Sequence, residues 1–247
     1  MTDPQWYSRY SRQLLVEDFD ETHQQKLEQA SVAVIGMGGL GCAAAMQLAA
    51  CGTGTLSLID PDSVDLSNLP RQHLYGEKDI GKAKVQCARV RLKDNNARCD
   101  IDIFEHYAEH ENVKPVLERS DLILDCTDNV QARMYISSQA RLLEKPLVSA
   151  AATGLQAHVI AFHWQQDACC YGCLHALDAT PQSSCLSHGI LGPVVAIAGL
   201  YQALIAINYL THRHPIAWGS LMQFCGRTLT WKQLHLAQAP DCPVCQE

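Results

Sequence analysis

Four groups of residues in this chain have types and spacings that could do chemistry. The first is Gly36, Gly38, Gly39 and Gly41 in GMGGLG, directly after the apolar run Val32 to Ile35. In the G-x-G-x-x-G spacing the first glycine makes a tight turn, the second lets backbone approach phosphates, and the third packs helix on strand. A phosphate can then sit on the helix N-terminus. A second apolar run, Thr55 to Ile59, ends in Asp60, where this pattern expects an acid for ribose hydroxyls. The following loop, DPDSVDLSNLPRQ, carries Asn68, Arg71 and Gln72, and Lys84 stands in GKAKV at the start of a helix. Asp125 and Asp128, in DCTDN, close a third apolar run, and either carboxylate could hold a magnesium ion.

The cysteines form the sharpest pattern. Cys170 and Cys173 form C-Y-G-C, and Cys242 and Cys245 form C-P-V-C. Two C-x-x-C pairs make a tetrahedral site of four thiolates for zinc, which would tie the chain end back onto the body. Four cysteines leave no open position for water, so the expected role is structural. Cys185, in SSCLSHGILGP, reads equally as a nucleophile or as a small packed hydrophobe. Cys42, Cys51, Cys87, Cys99, Cys126 and Cys225 lie in expected regular elements and read as packing residues.

These groups need a sheet to position them, and the chain alternates accordingly. Expected helices cover 4–15 and 20–30, then strand 32–35, helix 39–51, strand 55–59, a helix around 82–93, and a strand near 99–104. A helix near 112–118, strand 122–126, helix 130–143 and a short strand 146–149 follow. That βα alternation implies an α/β fold with a doubly wound, mostly parallel Rossmann-like sheet and its ligand site at the strand carboxyl ends. The last third changes character. The stretches 156–162 and 221–236 suggest antiparallel strands flanking an apolar helix at 193–210, a mixed C-terminal extension.

No repeat or flexible linker divides the chain, so one unit, 1–247, is expected: N-terminal helices 1–30, a nucleotide-binding part 31–150, and a zinc-bearing part 151–247. No formal charge occurs from Gly189 to Thr211, but Gly192, Pro193, Gln202 and Asn208 interrupt the run, which suits a buried or interface helix better than a membrane span. A net charge of -7 offers nothing to neutralise nucleic-acid phosphates. The N-terminus has no apolar signal core, so a cytoplasmic protein is expected, whose 12 cysteines serve as thiols or metal ligands.

The combination of RYSRQ (9–13), GMGGLG, SNLPRQ (67–72), Lys84, DCTDN, CYGC and CPVC resembles the bacterial ThiF/MoeB/HesA family, relatives of ubiquitin-activating enzymes. Members adenylylate the C-terminal glycine of a small ubiquitin-like sulfur carrier ending in Gly-Gly, using ATP and magnesium. The resemblance implies a homodimer with a structural zinc. It places Arg71 and Lys84 on the phosphates, Arg12 beside them from the other subunit, Asn68 and Gln72 around the nucleotide, Asp128 on magnesium and Asp60 on the ribose. Cys185 aligns with a cysteine that can link to the carrier through sulfur in the thiamine branch and is dispensable in the molybdopterin branch.

Sulfur would come from a separate donor, a cysteine desulfurase or rhodanese-like protein. Local wording is mixed between the branches and leans towards a molybdopterin-type carrier, with a thiamine-type carrier as the alternative. Two positions depart from the family pattern: Pro70, where glutamine is usual, and Gly172, where arginine is usual. Outside this reading stand an NAD-dependent oxidoreductase, which would need neither Arg71 nor two cysteine pairs, and a non-catalytic binding scaffold.

Overall fold

The computed structural model of the chain describes residues 3–164, 168–177, 189–242 and 244–245. Its frame is an eight-stranded sheet in the order β3-β2-β1-β4-β5-β6-β7-β8. Strands β1 (Ser31–Ile35), β2 (Thr55–Ile59), β3 (Asp100–Phe104), β4 (Leu122–Asp125) and β5 (Leu147–Thr153) are parallel. From β5 the sheet turns antiparallel through β6 (Gln156–Phe162), β7 (Ser220–Cys225) and β8 (Thr230–His235). The expected doubly wound sheet with an antiparallel extension is what forms. β1, β2, β4 and β5 are short, mostly apolar runs, and the central ones are buried on both faces, which is how parallel strands read when helices cover them; β3, at the sheet edge, alternates as DIDIF with Asp100 and Asp102 exposed.

The helices are α1 (Pro4–Tyr10), α2 (Glu21–Gln29), α3 (Gly39–Cys51), α4 (Lys84–Asn95), α5 (Lys114–Arg119), α6 (Val130–Leu142), α7 (Tyr171–Leu177) and α8 (Gly192–Thr211). The first ends sooner than expected. Residues 11–18 form turns, closed by Gln13 N–H on Tyr10 O at 3.0 Å and by Asp18 in a left-handed conformation. β5 runs longer than expected, since the run Ala150–Thr153 pairs antiparallel with Gln156–Val159.

α8 is apolar and long enough to cross a membrane by length and composition alone. Its Ala198, Gln202, Ala203 and Ala206 are buried against α3 and the sheet. The two helices approach so closely that a Cβ on Gly199 would lie 2.4 Å from Leu40 O. Gln202, the polar residue in this face, donates to Asp125 O and Val148 O, both at 3.0 Å, so α8 is pinned to the end of β4 and the start of β5.

The sheet order places the crossover between β1, whose chain continues to one side through β2, and β4, whose chain continues to the other. The usual ligand position in such sheets is the crevice outside the carboxyl ends of those two strands.

Candidate functional site

Three loops meet in that crevice. Gly36 ends β1 with φ +91°, and a Cβ there would lie 2.7 Å from Cys126 O, so the glycine turn is pressed against DCTDN. A Cβ on Gly41 would lie 2.0 Å from Gly36 O, and one on Gly39 would meet Val195 at 2.8 Å and Arg71 O at 3.1 Å. Those three glycines are required by the chain's own packing. Gly38 is different: a Cβ there would meet only Gln72 Nε2, at 3.8 Å. The fold leaves that space open at the N-terminus of α3, so a side chain would fill a cradle that suits phosphate. Gln72 borders it, 3 % exposed, and its Oε1 is buried without a hydrogen-bond partner. An orphaned acceptor of this kind costs about 1–3 kcal/mol, which a bound ligand can recover.

Asp60 is buried at the end of β2. Its Oδ2 accepts from Met37 N–H at 2.6 Å, inside the glycine turn, and its Oδ1 accepts from Asp62 N–H at 2.8 Å. Burial pushes this carboxyl above its usual range, opposed chiefly by the Lys84 ammonium 3.9 Å away. A carboxylate has about four acceptor positions, so ribose hydroxyls can still be taken.

Lys84, itself only 6 % exposed, is held by Asp62 Oδ2 at 2.8 Å. Asp62 is a residue that the sequence pattern did not single out; its signal was its place two residues after Asp60. Asn68 closes a single 3-10 turn over Leu66–Asn68 by accepting Asp65 N–H at 3.0 Å. Arg71 donates to Ser67 O at 2.8 Å, which keeps its guanidinium within the same loop. The N-terminus of α8 backs this loop, since a Cβ on Gly192 would lie 2.5 Å from Pro70 O.

The two carboxylates of DCTDN separate cleanly. Asp125 is 1 % exposed and spends its oxygens on Thr127 N–H at 3.0 Å, Thr127 Oγ1–H at 2.7 Å and Ser149 Oγ–H at 2.7 Å. Asp128 is exposed and has no partner among the described residues, so it is the one free to hold a cation. Asn129 caps α6 by accepting Ala132 N–H at 2.8 Å, which fixes the loop just before the helix.

Arg12 lies elsewhere. Its neighbour Gln13 donates to Cys51 O at 2.9 Å, at the far end of α3 from the glycine turn, and a 13-residue helix spans about 20 Å. Arg12 of the same chain therefore does not join the crevice.

Cys170, Cys173, Cys242 and Cys245 converge with their sulfurs all within 4.8 Å of one another. Pairs stand at 3.9 Å (Cys170–Cys173), 3.5 Å (Cys170–Cys242) and 3.5 Å (Cys173–Cys245). A Zn–S bond of about 2.3 Å puts tetrahedral sulfurs about 3.8 Å apart, so the cluster fits zinc. The Gly172 departure has a steric reason here: a Cβ would lie 2.9 Å from Cys242 Sγ.

Cys185 lies outside the described residues. None of the eleven described cysteines is paired in a disulfide, and burial pushes Cys42 and Cys99 up to about 12. Cys225, expected to be a packing residue, differs. At the end of β7 it receives hydrogen bonds from Thr228, Arg227 and Gln156, which lower its thiol to about 6. Its depressed value means that its contribution to stability is complete above the usual thiol value of 9.0 and is lost as pH falls through about 6. Among the described cysteines, alkylation of the zinc-loaded protein should label Cys225 first, with a rate midpoint near pH 6. Thr228→Val should raise that midpoint; a wild-type midpoint in the ordinary thiol range would contradict the assignment.

Comparisons with known proteins agree with this arrangement. The model of the ThiF family matches residues 10–244. The sulfur carrier protein ThiS adenylyltransferase of Escherichia coli K12 is 40% identical over 241 residues, covering 97% of this chain and 95% of that protein. The molybdopterin-synthase adenylyltransferase of the same organism is 34% identical over 237 residues, covering 96% and 95%. The chain spans about half, 53%, of an adenylyltransferase and sulfurtransferase of Drosophila persimilis, at 36% identity. Among solved structures, E. coli MccB with ATP superposes with a TM-score of 0.81 at 20% identity, over 96% of this chain and 74% of that one, a likeness of fold. With its glycine turn, cation-bearing loop and four-cysteine cluster in this arrangement, the chain belongs to the ThiF family.

Proposed function

We propose that this chain is a nucleotidyltransferase that adenylylates the C-terminal glycine carboxylate of a small ubiquitin-like sulfur carrier ending in Gly-Gly. The observation that carries the reading is the meeting of an open glycine cradle at Gly38 with Arg71, Lys84 and the unpartnered Asp128 at one strand crossover. A carboxylate oxygen of the carrier attacks the α-phosphorus of ATP. The bond from that phosphorus to the bridging oxygen breaks, and pyrophosphate leaves with the electron pair. The carboxylate is already ionised at neutral pH, so no strong base is needed. The work is alignment of two anions and stabilisation of charge on phosphate oxygens.

Arg71 and Lys84 hold those oxygens, the backbone at Gly38 and Gly39 admits the phosphates, and Asn68 and Gln72 orient the nucleotide. Asp60 takes the ribose. Asp128 holds magnesium, which neutralises phosphate charge when bound. The four cysteines hold structural zinc. A separate sulfur donor, a cysteine desulfurase or rhodanese-like protein, acts on the adenylate afterwards in the cytoplasm. Residues 31–150 serve the nucleotide and 151–247 the carrier and zinc.

The enzyme acts as a homodimer in which Arg12 completes the partner's site. Leu15 and Val16 beside it, and Leu200 and Leu204 on α8, are exposed and supply apolar surface for such an interface. Mixing Arg12→Ala with Lys84→Ala tests this. Half of randomly mixed dimers carry one variant of each kind, and one of their two sites is intact, so exchange activity should return to about a quarter of wild type. No recovery after subunit exchange rules out the shared site.

The carrier is decided by ATP–pyrophosphate exchange with a molybdopterin-type and a thiamine-type carrier side by side. The sequence wording leans to the first, and the 40% identity to a ThiS adenylyltransferase favours the second. Exchange with neither, in a folded zinc-loaded sample, leaves the binding-scaffold reading. Thermal stabilisation by NAD instead of ATP with magnesium points to the oxidoreductase.

A further inference from the structure

One helix joins the cysteine cluster to the loop that carries Asp128. α6 begins directly after Asp128 and Asn129, and Arg133, Ser137 and Arg141 recur along it every fourth residue, on one face. Each of the three meets the segments that bear the cysteines. The Arg133 guanidinium lies over the Tyr171 ring, 5.8 Å from its centre. Tyr171 N–H donates to Ser137 Oγ at 3.1 Å, and Arg141 Nη2 donates to Cys245 O at 3.4 Å. Tyr171 follows Cys170 and is 4% exposed, so its place is tied to the cluster.

The other side of Arg133 faces the crevice loop. Its Nη2 donates to Thr127 O, one residue before Asp128. Arg133 is 7% exposed and has no carboxylate partner among the described residues, whereas Arg98 and Arg119 pair with Asp3 and Asp102. A buried guanidinium without a counter-ion is costly to keep. Its contacts here are a carbonyl and an aromatic face, so what it fixes is the backbone of the loop.

We infer that the cysteine cluster sets the position of Asp128 through α6, with Arg133 as the positioning residue between them. The importance of Asp128 rests on the adenylation reading; the mechanical link from cluster to loop does not. The metal site then serves the crevice as well as the stability of the chain end.

The test uses the full zinc-loaded chain with Arg133→Met, which keeps bulk and removes the donors. Zinc content should be unchanged. Hydrogen exchange at the amides of Thr127, Asp128 and Asn129 should quicken about tenfold while the β4 amides keep their protection. The magnesium concentration for half-maximal pyrophosphate exchange should rise about tenfold, with the rate at saturating magnesium held within about threefold. Arg133→Lys, which can still reach Thr127 O, should restore part of the protection. Tyr171→Leu removes the ring without touching the loop; it should shift the same amides, and it carries the test if Arg133→Met fails to fold. Unchanged loop protection in both Arg133→Met and Tyr171→Leu overturns the inference. If the wild type exchanges no pyrophosphate with either carrier, the adenylation reading falls, and the amide measurement still decides this one.

Discussion

Replacing Lys84 with alanine is expected to lower carrier-dependent ATP–pyrophosphate exchange by about 100- to 1000-fold, the range for one well-placed donor to charge that develops in the transition state. Lys84 is buried at the start of α4, and Asp62 at 2.8 Å and Asp60 at 3.9 Å fix where its ammonium points. A cation held in place costs no reorganisation when phosphate charge builds, and its low-dielectric surroundings strengthen it. The substitution also removes the chief influence that opposes the upward push of burial on the Asp60 carboxyl, so ribose binding should weaken in the same variant. Stability should fall as well, because the buried Asp60 carboxyl loses its nearest cation, so the comparison is made on samples shown to be folded. Lys82→Ala is the control: that side chain is 61% exposed and 3.7 Å from Asp79, and its loss should leave exchange within about twofold. Exchange by Lys84→Ala within about threefold of wild type, in a folded sample, would remove Lys84 from the phosphates.

The second large effect concerns the metal. Cys242→Ser should abolish stoichiometric zinc binding and lower the melting temperature by about 10 °C, as a loss of several kcal/mol does in a chain of this size. The cluster brings Cys170 and Cys173 to Cys242 and Cys245 across a long interval, and among the described residues no strand extends past His235, Leu236 N–H on Gly219 O at 2.8 Å being the last tie to the sheet edge. Tyr171, Leu236, Cys242 and Val244 belong to one cluster of buried apolar side chains, so releasing one ligand loosens packing as well as coordination. Metal bound only by the folded chain adds its binding free energy to folding. Metal analysis and calorimetry check the result, and a melting temperature within about 2 °C of wild type in a zinc-free variant would make the cluster dispensable to the fold.

The chemistry-bearing positions were legible because each rests on local spacing. Gly36 needs a positive φ, Gly41 a close backbone approach, and each C-x-x-C pair sets two sulfurs side by side; those demands sit within a few residues and leave a mark in the sequence. The central parallel strands β1, β2 and β4 were legible for a related reason, since burial on both faces makes them short apolar runs. Helix ends were read less well: nothing local to residues 11–15 announces that α1 stops at Tyr10, because what holds those turns includes Gln13 reaching the distant Cys51 O.

By itself, the sequence determined the fold class, the glycine turn, the loop that bears Asn68 and Arg71, and the two cysteine pairs that converge. Only the tertiary structure decided which aspartate of DCTDN is free, because Ser149 and Thr127 consume Asp125 and neither contact follows from spacing. It alone set Arg12 at the opposite end of α3 from the glycine turn, tied Asp62 to Lys84, and left Gly38 open beside the orphaned Gln72. The Cys225 thiol likewise depends on Gln156, from the neighbouring strand, and on the turn after it. The physical reason is the same in each case. Backbone conformation is written in neighbouring residues, whereas the availability of a polar side chain depends on which distant groups the packed sheet brings within about 3 Å of it.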